Sequence, residues 1–207
     1  MKQRIVNIIG MGQNARWLPE HGERWGINHC YLFTEWLTKW FIMDGVKAMY
    51  ESAHKVQKDA IDIANFAANN PEMEIISAYP ESIKFNGKLI KTATPYPLDD
   101  VIGLIPGPFI NSSLTEILAY VCVQEQLGFQ KVDQVNLYGI EMWANSEQDE
   151  HNYQKVAIDF WIAFLYGRGI QLSVPAYLLY ANNCKHNLYG YYRDEPVMIT
   201  KGGSDVK

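Results

Sequence analysis

Cysteine is scarce in this chain. Cys30, Cys122 and Cys184 are the only three, an odd number with no short spacing between them. That pattern excludes a disulfide framework and a compact zinc site, and it fits a reducing compartment. Long hydrophobic runs are missing as well: no stretch of about 18 apolar residues occurs, so no membrane span is expected. The apolar-rich run from Ile5 to Ile9 is too short for the core of a secretory signal. The expectation is therefore a cytoplasmic protein. Positive charge is thin and scattered, with 18 Lys and Arg against 23 Asp and Glu and a formal net charge of -5. A nucleic-acid surface needs clustered cations to neutralise phosphates. Arg4, Arg16, Arg24, Lys39, Lys155, Arg168 and Arg193 stand apart instead, which leaves room only for local pockets around a small phosphate-bearing ligand. Repeats and low-complexity segments are absent too.

What is present is a packed globular composition, 48% hydrophobic and 13% aromatic over 207 residues, enough to bury one full core. The reading is a single Rossmann-like nucleotide-binding domain spanning residues 1–207, with a loose tail over about 202–207. The run from Arg4 to Ile9 predicts a buried first strand feeding a glycine loop at Gly10, and residues 10–23 read as loop with at most a short helix. Short strands follow at Arg24–Asn28 and Lys39–Asp44, with a brief helical turn between them. Apolar positions from Val46 to Asn70 recur at helical spacing and stop at Pro71. Met73–Ala78 reads as a fourth strand. Residues 83–90 read as a hairpin excursion, because Asn86-Gly87 is a favoured two-residue turn. A short helix with Asp99 and Asp100 in its first turn comes next. Asn111, Ser112 and Ser113 then cap an apolar helix, Leu114–Leu127, ended by Gly128. Val132–Tyr138 predicts a strand, His151–Tyr166 a helix and Ile170–Val174 a last strand. Strands alternating with helices predict an α/β fold with a mostly parallel sheet and helices on both faces, which binds ligands beyond the carboxyl ends of its strands.

Candidate chemistry gathers at those strand ends. Gly10 and Gly12 let the backbone approach a ligand and expose N–H groups that favour phosphate. The third glycine of a dinucleotide fingerprint is missing, because position 15 is alanine, and an ordinary turn also accounts for the pair. Asn28 and Asn111 carry paired donor and acceptor groups suited to a base or ribose, and the helix start at Ser112 and Ser113 suits a phosphate. Turn formation and capping are their plainer roles. Asp44 ends one strand; Gly139, followed by Glu141, ends another. Glu141 is a candidate catalytic carboxylate or metal ligand, and His151, at a helix start, a candidate general base. His21, His29, His54 and His186 are isolated and read as surface or satisfied residues. The tyrosines from Tyr177 to Tyr192 read as packing of the core or of an oligomer interface.

In order, the segments Ile8–Asn14, Trp25–Asn28, Trp40–Asp44, Tyr96–Leu98, Asn111–Ser113, Leu137–Met142, Glu150–Gln154 and Gly167–Pro175 resemble a family of bacteriophage proteins. That family is similar to the compact Rossmann-like bacterial sialyltransferases and to archaeal pterin pyrophosphokinase-like proteins. The resemblance covers about residues 4–192. It implies Gly10, Gly12, Gln13 and Asn14 at the phosphates, Asn28 near base or sugar, and Asn111 to Ser113 beside the donor. Tyr153 joins these as a ligand contact, and His151 falls near the place of a catalytic histidine. Here Gln13-Asn14 stands where the family pattern has Pro-Ser, Asp44 where histidine is frequent, and Glu141 where aspartate is frequent.

Three functions compete. The first is a transferase that uses a nucleotide-activated donor such as a nucleotide sugar, with His151 or Glu141 as base. The second is a non-catalytic phage protein that sequesters a nucleotide-derived ligand in the host cytoplasm. The third is a Mg²⁺-dependent pyrophosphokinase in which Asp44 and Glu141 hold the metal against phosphates. The expected partner in each is a small molecule, with a homo-oligomer left open.

Overall fold

A computed structural model describes residues 3–12, 15, 18–45, 49, 56–79, 82–85, 87–105, 109–140, 150–175 and 178. Nine strands are assigned among them: β1 (Ile5–Ile9), β2 (Glu23–Ile27), β3 (Lys39–Phe41), β4 (Glu74–Ser77), β5 (Ser82–Phe85), β6 (Lys88–Thr92), β7 (Thr94–Pro95), β8 (Gln134–Tyr138) and β9 (Gln171–Ser173). The α-helices are α1 (Val56–Asn69), α2 (Leu98–Ile102), α3 (Ser113–Cys122) and α4 (Glu150–Gly167). Seven strands form one sheet in the order β7-β4-β3-β2-β1-β8-β9, and every pairing in it is parallel. The fold is α/β and Rossmann-like. From β1 the chain works outward through β2, β3 and β4, then returns to place β8 on the other side of β1. This reversal makes the gap beyond β1 and β8 the switch point of the sheet, where open α/β sheets bind ligands.

Alternation along the strands splits the core into two layers. Val6, Ile8, Trp25, Ile27, Phe41, Ile76, Val135 and Leu137 face one side, where α3 and α4 cover them with Leu114, Ile117, Leu118, Ile158, Trp161 and Leu165. Ile9, Trp40, Ile42 and Ile75 face the other side, under Ile63, Phe66 and Ala67 of α1 and Ile83 of the hairpin. Beside this second layer, β1 and β8 turn amides inward. Asn136 Nδ2 donates to Asn7 Oδ1 at 2.9 Å, and Asn7 Nδ2 donates to the His21 carbonyl at 2.9 Å. Both side chains are buried, and these bonds meet the need that burial creates.

Several elements differ from the sequence reading. The third strand stops at Phe41, and Met43 and Asp44 turn away from the sheet. The helix capped by Ser112 closes at Cys122; a run of turns then carries the chain to Gly128 at φ +82, where Phe129 N donates back to the Gln124 carbonyl. Strand β7 was not expected, since two residues with a proline offer no apolar run to read. The hairpin excursion agrees with the reading: β5 and β6 pair antiparallel, apart from the main sheet. Of the helix expected over residues 46–70, residues 46–48 and 50–55 lie outside the described residues, as do the expected tail and the C-terminal tyrosines. Among the described residues, no helix is long and apolar enough to cross a membrane.

Candidate functional site

A cleft of about 630 Å³ opens at the switch point, lined by Gly10, Met11, Gly12, Ile27, Asn28, Asp44, Asn111, Ser112, Ser113, Leu114, Gly139, Ile140 and Gln154. The strand-end residues singled out from the sequence thus meet in one place. Gln13, Asn14 and Glu141 lie outside the described residues, and of His151 only its backbone position in the first turn of α4 is described. Tyr153 turns its side chain to solvent, and its contribution is a carbonyl that accepts from Asn111 Nδ2 at 3.0 Å. Its neighbour Gln154 reaches the cleft instead.

The floor is backbone packed on backbone. A Cβ on Gly10 would collide with the carbonyl oxygen of Gly139 and sit 2.7 Å from Ile140 Cδ1. Gly139 adopts φ +63, and a Cβ there would lie 2.6 Å from that of Ala15. Both positions therefore need glycine. Gly10 N donates to the Tyr138 carbonyl and Gly12 N to the Gly139 carbonyl, both at 2.8 Å. These N–H groups are committed to the end of β8, so the two glycines give a ligand room rather than donors.

Donors come from α3. Ser112, extended at φ -159, caps the helix: its Oγ accepts from Thr115 N at 3.3 Å, and Thr115 Oγ1 accepts from Ser112 N at 3.0 Å and Asn111 N at 3.1 Å. The first intrahelical bond runs from Glu116 N to the Ser112 carbonyl. Ser113 and Leu114, both lining the cleft, keep N–H groups that no helical carbonyl can reach, and the positive end of the helix dipole adds to them.

The opposite wall is built on Asn28. This residue sits at φ +43, the single non-glycine with positive φ among the described residues. Asparagine tolerates that region better than most side chains. Trp40 Nε1 holds its carbonyl at 2.7 Å, and its own Nδ2 donates to Asp44 Oδ2 at 3.1 Å. Asn28 Oδ1 is buried and meets no donor among the described residues. Glu116, half-buried on α3, was not singled out from the sequence, where it reads as an ordinary acid in a helix's first turn. Burial, and then the charge of Asp44, push its carboxyl up to about 7. Tyr96 fixes this turn by donating its hydroxyl to the Glu116 carbonyl at 2.8 Å. Among the described residues lining the cleft, none is Lys or Arg, and Asp44 alone carries a formal charge. Among the described residues there is also no group of three or more His, Cys, Asp or Glu placed to hold a metal.

No protein-family model matches the chain, and neither a curated protein nor a solved structure matches it.

Proposed function

We propose that the protein binds a nucleotide or nucleotide-linked ligand in this cleft and uses it as the activated donor of a transferase. One observation carries the reading: the glycine floor after β1, the start of α3 and the Asn28–Asp44 wall line a single cleft at the switch point of a parallel sheet. The cleft offers an anionic group the N–H groups of Ser113 and Leu114, and it offers hydroxyls the carboxylate of Asp44. A nucleotide carries both kinds of group. The volume of about 630 Å³ falls within the range of small-molecule sites, roughly 300–1,000 Å³.

Mass spectrometry of small molecules released from the purified protein tests the reading, together with a thermal-shift screen of nucleotides and nucleotide sugars. A ligand that binds only the folded state raises its apparent stability. Gly12→Val should weaken binding more than folding, and equal affinity in a folded variant would count against the site. His151→Ala, followed by single-turnover product formation and by binding, separates transferase from sequestering protein. A general base should cost about a hundredfold or more in rate when removed, with little change in affinity. Unchanged turnover passes the role to Glu141, and absence of turnover with every donor favours sequestration. A requirement for Mg²⁺ would favour the pyrophosphokinase reading.

A further inference from the structure

Alternation along β2 puts Arg24 on the second face of the sheet, away from Trp25 and Ile27. The link from β2 to β3, residues 28–38, covers that face with a 3-10 turn, Asn28–Leu32, where a parallel crossover ordinarily carries an α-helix. The link lies flat on β2 because position 26 is glycine: a Cβ there would collide with Cys30 Sγ and sit 2.7 Å from Leu37 Cδ1. Two residues back on the same face, Arg24 opens into a hollow of about 640 Å³ whose apolar walls are Leu18, Tyr31, Leu32, Phe33 and Trp36. Its charge is handled unlike that of the other buried or half-buried cations among the described residues. Arg4, Lys39 and Lys155 each meet a carboxylate, and Lys91 is held by the carbonyls of Asn70 and Pro71. Arg24 has no carboxylate within ion-pair distance among the described residues. Its Nη1 donates to Thr34 Oγ1 and its Nη2 to the Pro19 carbonyl, both at 3.3 Å, beyond the usual range for such bonds. Trp36 covers the guanidinium at 4.1 Å, but a guanidinium donates in its own plane, and each terminal nitrogen keeps a second N–H. Nε is buried and out of reach, so the spare capacity belongs to Nη1 and Nη2.

We propose that this hollow is a second ligand site, built for a small organic carboxylate: the Arg24 fork holds the carboxylate, and the aromatic and aliphatic walls take its apolar body. The hollow shares no lining residue with the cleft beyond β1 and β8, so the proposal stands apart from the nucleotide reading. Its volume falls within the range of small-molecule sites, roughly 300–1,000 Å³. The geometry favours a carboxylate because two N–H groups side by side match its two oxygens. Charge favours it over a phosphate dianion. Among the described lining residues Arg24 is the single Lys or Arg, and the one acid, Glu35, is exposed and acts on Arg24 through its charge without pairing with it. A dianion would bring twice the charge against that same acid, with no second cation to offset it. Burial weakens the hold of Arg24 on its proton, yet a guanidinium stays charged at neutral pH.

The test is NMR titration of the wild type, Arg24→Gln, Arg24→Lys and Glu35→Gln with phenylacetate, octanoate, the amides of both, and phenyl phosphate. At least one carboxylate should bind the wild type about tenfold or more tightly than its own amide, and it should move the Trp36 indole N–H signal. Arg24→Gln should erase that preference. Arg24→Lys should keep part of it, since the charge remains and the fork is lost. Glu35→Gln should widen it by about threefold, because a like charge is removed from an exposed position. Should Arg24→Gln fail to fold, the opposite shifts expected of Arg24→Lys and Glu35→Gln decide the matter. Equal binding of acid and amide for both bodies overturns the proposal, as does a preference that survives in folded Arg24→Gln. A carboxylate that binds without moving the Trp36 signal is seated elsewhere and overturns it too. Phenyl phosphate binding more tightly than either carboxylate, with the same Trp36 response, would replace the carboxylate by a phosphate and sink the assignment. None of these results bears on the nucleotide cleft, which is tested by its own ligands.

Discussion

The two edges of the sheet handle charge in opposite ways. Where the strands begin, charges are paired. Arg4 Nε donates to Glu23 at 2.6 Å and its NH2 to Gln124 at 3.0 Å, Lys39 pairs with Glu74, and the Arg4 N–H donates to Asp133 at 2.7 Å. Burial alone would raise the Glu23 carboxyl, but hydrogen bonds from Arg4 and Trp25 outweigh it and hold the group below its ordinary range. A hollow of about 890 Å³ opens there, larger than the cleft, yet Arg4 and Glu23 in its wall already satisfy each other. Where the strands end, no ion pair reaches Asp44 or Glu116 among the described residues, and burial, with the charge of Asp44, pushes Glu116 up instead of down. Size therefore does not mark the site. Each end of β2 keeps one buried polar atom without a partner among the described residues, Arg24 Nε at its start and Asn28 Oδ1 just past its end, so what sets the finishing edge apart is that Asn28, Asp44, Ser112 and the two glycines line one cleft.

The strongest way to sharpen this contrast is Arg4→Ala. It leaves a half-buried Glu23 without its cation, and stability should fall by about 3 kcal/mol in a denaturant titration. Nucleotide-induced thermal shifts should keep their size, because the cleft is at the other edge; a lost shift would show that the edges are coupled.

Acid and base should divide the edges next. Glu23 titrates lower in the folded chain than in the unfolded one. Its contribution is full above the unfolded value and disappears as pH falls through the lower folded value. Glu116 has the reverse sign: its folded value of about 7 lies above the ordinary carboxyl value of 4.5, so its cost is absent at low pH and grows as pH rises from 4.5 to about 7. Glu116→Gln should therefore be more stable than wild type at pH 8, by roughly 2 kcal/mol after allowing for solvent screening. At pH 4 the two should be equal. A variant destabilised at pH 8 would mean that the Glu116 carboxylate has a partner after all.

Asn28→Gly probes the finishing edge with a smaller effect. Glycine relieves the positive φ but loses the bond to Asp44, so stability should stay within about 1 kcal/mol of wild type. Affinity for a bound nucleotide should fall about tenfold in calorimetry. Equal affinity would remove Asn28 from the wall. The smallest expected effect belongs to Tyr153→Phe: the hydroxyl is on an exposed ring and only the carbonyl contributes, so stability should move by less than about 0.5 kcal/mol and affinity should hold.

Most of the parallel sheet was legible because its strands announce themselves locally. Ile5–Ile9, Trp40–Ile42 and Val135–Leu137 are apolar runs closed by glycine or by turn residues, and alternation with helical spacing gives the architecture. The meeting of Gly10, Asn28, Asp44, Ser112 and Gly139 followed from that architecture alone, since a parallel sheet delivers every strand end to one edge. Glu116 was not legible. Its local signal, an acid in the first turn of a helix, is fully explained by the helix dipole, and only the tertiary fold buries it and exposes it to the charge of Asp44. The inward amides Asn7 and Asn136 were hidden for a similar reason. In sequence each is a polar break in an apolar strand; in space the two complete each other across β1 and β8.

Because Gly10 and Gly139 touch backbone to backbone, neither position can drift alone. A methyl group at position 10 has to displace the carbonyl of residue 139, and one at position 139 runs into Ala15. The loop after β1 and the loop after β8 are thus inherited as a pair, although more than a hundred residues of chain separate them. Among diverged copies of this chain, small should go with small at positions 10 and 139. A lineage that filled one without resetting the other would lose the floor of its cleft before it lost its fold.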